Sequence, residues 1–271
     1  MDDIRMSKRP KGAENDEPVP IKKVYVPMIR YGDREFDEGF VGWGFQSLEE
    51  QERDARSVLW LTSRVKMKML DLGCGLGSYH HVWLEAGHTV VGTDLSETFI
   101  MMASNTNPGA SYRVENFYDL DETEAYDVVT MIDTPLEDED LARNVHRALR
   151  TGGIFVFQLQ SPSYKHLRGP VLENRRDWVD NEDGTFLLTR HEYNEEIDRW
   201  EYEEWHLDMK KREVVVEHNF SHNLGFSRIV DILQSVGFTT VSFFDPDGRP
   251  NGTSRVEPSK YFCVAYKGVD G

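Results

Sequence analysis

The stretch Met67-Lys-Met-Leu-Asp-Leu-Gly-Cys-Gly-Leu-Gly77, followed by Thr89-Val-Val-Gly-Thr-Asp94, decides how this chain folds. The apolar run ending in Leu72 reads as a buried strand and the glycines as a tight turn. Ser78 then opens a helix whose N-terminus points back at that turn. Val90 and Val91 make a second buried strand with Asp94 at its carboxyl end. Ligands of open α/β sheets bind in the crevice there, where a carboxylate can accept both hydrogens of a ribose diol. The stretch therefore predicts a nucleoside-bearing ligand held between a glycine loop and Asp94.

Spacing narrows the ligand. A dinucleotide fingerprint wants a glycine or alanine three residues after the second glycine, so that helix and strand can pack around a pyrophosphate. Ser78 stands at that place, and the pattern is instead Asp-x-Gly-x-Gly-x-Gly from Asp71 to Gly77. This resembles the first motif of the class I S-adenosylmethionine-dependent methyltransferases, whose cofactor carries no pyrophosphate, and Asp94-Leu-Ser96 resembles their second. The resemblance is to small-molecule, type 11-like members. It implies an α/β fold, a doubly wound Rossmann-like seven-stranded sheet with an antiparallel β insertion after the fifth strand. It also implies S-adenosyl-L-methionine as cofactor and S-adenosyl-L-homocysteine as product. A nicotinamide or flavin cofactor is the weaker alternative.

Composition bounds the partners. The 271 residues carry 31 basic and 48 acidic side chains, a formal charge of -17, which opposes nucleic-acid binding because such affinity comes from Lys and Arg displacing counterions. Only two cysteines occur, Cys74 and Cys263, so neither a disulfide scaffold nor a metal site is expected, and a reducing, cytoplasmic setting fits. No apolar run approaches the roughly 20 residues that span a bilayer. The beginning, with Asp2, Asp3 and Arg5, lacks a signal-peptide core. A small-molecule acceptor, with no nucleic acid and no membrane, is the expectation, and the oligomeric state is open.

Five segments follow from patterning. Residues 1–23 mix charge with proline and read as a mobile tail, and 24–64 hold an aromatic segment and a covering helix opened by the capping box Ser47 and Glu50. Residues 65–160 alternate strands and helices as a doubly wound core requires. Residues 161–222 are rich in aromatic and β-branched residues at 185–193, 199–207 and 212–222, an antiparallel meander that would cover the substrate. Residues 223–271 return to the core sheet with a helix at 227–236 and strands at 239–244 and 261–265.

Carried onto these positions, the resemblance assigns cofactor contacts. Gly73, Gly75 and Gly77 let backbone approach the cofactor, Asp71 orients the loop or reaches the methionine ammonium, and Asp94 takes the ribose. Leu95, Asn116 and Phe117 lie where the adenine would sit, and Met131 heads the segment facing the sulfur. Asp133-Thr134-Pro135-Leu136 is a partial echo of the Asp-Pro-Pro-Tyr of adenine amino-methyltransferases, lacking the aromatic platform a flipped base needs. Asp133 is thus either a substrate contact or a turn-capping aspartate. No Lys or Arg falls within residues 115–141, a patch that either favours a cationic acceptor or is a solvated face.

Catalytic candidates are His80, Asp133, His191 and His206. Methyl transfer needs little acid-base machinery, so these compete with structural roles. Tyr31 and Trp43 in the aromatic segment, and Trp200 and Tyr202 in the meander, are candidates for a lid and pocket wall. Two other functions stay open: a protein methyltransferase, or a noncatalytic module that keeps the cofactor fold.

Overall fold

The computed structural model describes residues 22–27, 47–134, 136, 138–160, 175–194, 199–222, 224–251, 258 and 260–268. Its strands are β1 (Lys22–Pro27), β2 (Lys68–Leu72), β3 (Thr89–Asp94), β4 (Ser111–Val114), β5 (Tyr126–Met131), β6 (Leu149–Gln160), β7 (Arg175–Asp180), β8 (Thr185–Asn194), β9 (Arg199–Asp208), β10 (Glu213–His222), β11 (Phe238–Phe244) and β12 (Lys260–Lys267). Its helices are α1 (Leu48–Thr62), α2 (His80–Glu85), α3 (Glu97–Thr106), α4 (Glu139–Ala148) and α5 (Phe226–Ser235).

Seven strands form one sheet in the order β11-β12-β6-β5-β2-β3-β4. The five from β6 to β4 are parallel, while β12 runs antiparallel to both β6 and β11. Alternate residues of the central strands serve opposite cores, which is why these strands read as continuous apolar runs. Leu70, Leu72, Val129, Met131, Phe155 and Phe157 pack under α4 and α5, whose inward residues include Leu141, Val145, Ile229 and Leu233. Met69, Val90, Val128, Ile154, Val156 and Phe262 face the other way, toward Ala55 and Val58 of α1 and Val82 and Trp83 of α2.

Helix α1 starts at the expected box, Ser47 Oγ accepting from the Glu50 N–H and Glu50 accepting from the Ser47 N–H. It is docked by Trp83, fully buried, whose indole donates to the Ala55 carbonyl at 3.0 Å. Buried Asp54 adds a tie to β6 and β12, paired with the Lys260 ammonium and accepting from the Gln158 amide at 3.2 Å.

Strand order turns back between β2 and β5: β3 and β4 extend one way from β2, and β5 and β6 the other. The crevice at the carboxyl ends of β2, β3 and β5 is therefore the topological switch point, where α/β sheets bind ligands.

A second sheet has the order β1-β10-β9-β8-β7, with β7 to β10 antiparallel and β1 added parallel to β10 from Lys22↔Glu213 to Pro27↔His218. The meander matches the expected insertion, but two of its strands were not anticipated. β7 adds an edge, and β1 crosses the boundary drawn at residue 23, placing Lys22 and Lys23 in a strand rather than in the tail. The six residues Lys-Lys-Val-Tyr-Val-Pro carry too short an alternation to stand out beside a charged, proline-rich neighbour, and their partner is remote in sequence. Residues 1–21 and the aromatic segment with Tyr31 and Trp43 lie outside the described residues.

Candidate cofactor cleft

The glycine loop leaves β2 and all three glycines take left-handed backbone, with φ of +69° at Gly73, +51° at Gly75 and +66° at Gly77. They differ in what a β-carbon would meet. At Gly73 it would lie 2.6 Å from Thr134 Oγ1 beyond β5, and at Gly77 2.7 Å from the Tyr112 hydroxyl and 3.1 Å from Asn107 Nδ2. Those two glycines let the loop close against the protein itself, a packing demand that stands beside the expected approach of the cofactor. Only at Gly75, among the three, would a β-carbon enter open space, with nothing within 4 Å. The Gly75 N–H donates to Asp94 Oδ2 at 2.9 Å, and the Ser96 N–H donates to Asp94 Oδ1 at 2.9 Å. Asp94 is thus held in one orientation by two amides, half-buried, beside the open face of Gly75.

Asp71 is 1% exposed and sits beneath the loop rather than in it. Its carboxylate accepts from Thr130 Oγ1 at 2.6 Å and contacts His80 Nε2 at 3.0 Å. The other nitrogen of His80, Nδ1, lies 2.7 Å from the Tyr112 hydroxyl, and the His80 side chain is completely buried. His80, with both ring nitrogens engaged by protein partners, has no face open to a reactant. It is a strut between β2 and β4 that fixes the start of α2. Burial raises the Tyr112 phenol well above its ordinary range, which keeps it a protonated hydrogen-bonding partner. Tyr112 and Thr130 escaped sequence reading because they meet Asp71 and His80 only across strands. Met131 is likewise corrected: its side chain is fully buried in the core beneath α4 and offers no surface to the crevice.

At the end of β5, Asp133 is exposed and has a left-handed φ of +58°. The Tyr79 hydroxyl donates to Asp133 Oδ2 at 2.9 Å. Tyr79 is itself buried and stacked on Trp83 at 6.1 Å. Burial, then the neighbouring Asp133 charge, push the Tyr79 phenol far upward, so it stays a donor. Tyr79 was missed in the sequence because a tyrosine between a glycine loop and a helix carries no pattern of its own. It anchors an exposed carboxylate to the core, and Thr134 packs directly against Gly73, so this carboxylate adjoins the glycine loop.

The adenine candidates flank the same crevice. Leu95 is 42% exposed after β3. Asn116 caps a short 3-10 turn, accepting from the Tyr118 N–H at 3.0 Å, and Phe117 is half-buried against Tyr118. Cys74 is buried, and burial together with Asp71 and Asp94 raises its thiol far from reactivity. The second sheet places His191, Trp200 and Tyr202 together in register, Tyr202 opposite His191 and Trp200 opposite Tyr193, though their side chains lie outside the described set. His206 is exposed between Glu204 and Glu217, 3.6 Å from each. A cavity of 460 Å³ lined by Glu52, Arg56, Trp60 and Pro246 shares no residue with the glycine loop and is a separate feature.

Residues 70–157 match the family described as "Methyltransferase domain". Over these residues, which span the glycine loop and most of the chain from β2 to β6, this chain is similar to a methyltransferase domain. Solved structures repeat its fold. The CcbJ methyltransferase of Streptomyces caelestis aligns with a TM-score of 0.63 at 17% identity, covering 86% of this chain and 96% of that one. CalS10 of Micromonospora echinaspora, an amino pentose methyltransferase solved with S-adenosylmethionine, aligns at 0.55 and 16% identity over 86% and 97%. The sugar N-methyltransferase KedS8 of a Streptoalloteichus species aligns at 0.54 and 17% over 97% and 99%. No curated protein matches the sequence. Among the described residues no helix is long and apolar enough to cross a membrane.

Proposed function

We propose that this methyltransferase domain moves a methyl group from S-adenosylmethionine to a nitrogen or oxygen of a small-molecule acceptor. The observation that carries the reading is Gly75: its left-handed backbone faces open space that a β-carbon would fill, while its amide is fixed to Asp94. The described residues fit the cofactor. The Gly75 and Ser96 amides fix the Asp94 carboxylate at the carboxyl end of β3, the place where a ribose diol is taken in such sheets. Leu95 and Phe117 supply apolar surface for a purine ring.

When bound, the cofactor would supply an electrophilic sulfonium methyl, which an in-line nucleophile would take as the thioether leaves. The protein's share is position. Holding reactants in near-attack geometry contributes on the order of 7–11 kcal/mol to lowering such a barrier. Asp71, His80, Tyr112 and Thr130 form the rigid base that keeps the loop in place. Asp133, oriented by Tyr79 next to the loop, is the group we assign to the acceptor: it accepts a hydrogen from the attacking amine or hydroxyl and aims its lone pair. Small-molecule acceptors are favoured by the layout shared with CalS10 and KedS8, whose names specify amino pentose and sugar substrates.

The test is calorimetric titration with S-adenosylhomocysteine. Asp94→Ala is expected to weaken binding at least tenfold, about 1.4 kcal/mol or more, while the fold persists. Affinity unchanged in that variant overturns the assignment. Turnover of radiolabelled methyl donor with pools of small amines and alcohols, compared with peptides, then decides the acceptor class.

A further inference from the structure

We propose that Glu204, His206 and Glu217 form a binding site for one first-row divalent transition ion, Zn²⁺ in its chemistry. Glu204 and His206 are two apart on β9 and so share a face, and Glu217 on β10 is the residue directly across from Glu204. His206 Nε2 lies 3.6 Å from a carboxylate oxygen of each glutamate, and the three donor atoms all fall within 4.8 Å of one another. Tetrahedral zinc, with bonds of about 2.0–2.2 Å, places neighbouring ligand atoms about 3.4 Å apart. The triad is therefore close to ligating distance on a backbone whose register already sets it. One imidazole and two carboxylates with an open fourth position suit zinc better than magnesium or calcium, which prefer oxygen-only shells.

Charge argues the same way. Two glutamates directly opposite on neighbouring strands repel each other. Across the strands Thr189 stands opposite Glu204, while Leu187 and Val215 stand opposite His206. His206 as imidazolium, or a cation seated among the three, would relieve that repulsion. The glutamates are largely covered, 27% and 17% exposed, and His206 at 47% leaves the mouth open. The ligands come from two strands, so no metal spacing shows in the sequence. A bound ion would clamp β9 to β10, independently of methyl transfer.

The experiment titrates metal-free full-length protein with zinc chloride in excess Mg²⁺, followed by calorimetry, and repeats it with Co²⁺ to read the visible absorption of the complex. One ion per chain is expected. His206→Ala and Glu217→Gln should each weaken binding roughly tenfold or more and abolish the cobalt bands, while Glu192→Gln, on the opposite face, leaves both unchanged. Glu217→Gln keeps the side-chain shape, and circular dichroism checks that the sheet persists in each variant. Absence of saturable zinc binding, or equal affinity in wild type and His206→Ala, overturns the proposal.

Discussion

The two sheets of this protein solve opposite problems with the same backbone geometry. Strands β2, β5 and β6 are covered on both faces, so Met69, Leu70, Val128, Val129, Phe155 and Val156 are all fully buried. In the second sheet Trp178 and Trp205 keep 68% and 36% of their surface exposed, and Val216 is the buried apolar residue among its described side chains. A parallel sheet sandwiched by helices can hold a crevice rigid to fractions of an ångström. An antiparallel sheet with a wet face tolerates variation and can be reshaped around an acceptor. The contrast separates a core whose packing fixes the glycine loop from a sheet that leaves large side chains in solvent.

The largest expected effect tests that contrast directly. Trp83→Ala removes a fully buried indole and its hydrogen bond to Ala55, and should cost about 3–5 kcal/mol in denaturant unfolding. Trp178→Ala should fall within about 0.5 kcal/mol of wild type. Equal costs would erase the distinction between the sheets.

Within the core, the loop glycines sharpen it. Gly77→Ala drives a β-carbon into the Tyr112 hydroxyl and should destabilise the fold by more than the backbone strain of about 1–2 kcal/mol alone. Gly75→Ala should cost only that strain, yet lose cofactor affinity, because its β-carbon enters open space. Stability and S-adenosylhomocysteine binding measured on both variants would separate the two roles, and loss of binding without extra instability at Gly77 would reverse them.

His80→Ala leaves Asp71 and Tyr112 without their buried partner, a loss of about 1–3 kcal/mol or somewhat more for the charged group. Methyl transfer by the folded fraction should persist, since His80 touches no reactant. A pH–rate profile that loses one limb in this variant would instead make it a base.

The smallest effect is at the rim of the core. His88 is buried and its Nδ1 accepts the Met67 N–H at 3.1 Å, and burial lowers its pKa below the ordinary 6.5. A depressed histidine pKa means the unfolded chain binds the proton more readily. Stability from this group is therefore full above about pH 6.5 and is lost as pH falls through the lower folded value. NMR titration of the imidazole, beside unfolding at pH 7 and 5, checks the sign. An upward-shifted His88 would contradict it.

Much of this was legible beforehand for a physical reason. The strand, glycine turn and helix from residue 67 to 86, and the alternation through β6, rest on periodicities that neighbours along the chain impose. The capping box at Ser47 and Glu50 is equally local. β1 and β7 were not legible, since an isolated six-residue alternation has no partner until distant strands supply one. His80 misled for a related reason: a histidine after a glycine loop looks available until Asp71 and Tyr112 are found on either side of it.

By itself the sequence determined the loop and its three glycines, the acidic residue on the neighbouring strand, and the alternation of strands and helices from β2 through β6, because each depends on contacts within a few residues or on chain-wide burial. Only the tertiary structure decided which glycine opens outward, that Tyr79 anchors Asp133, that Met131 is core, and that Glu204, His206 and Glu217 converge. Those facts depend on the register between strands far apart in the chain, and register is set by packing of the whole sheet rather than by any one segment.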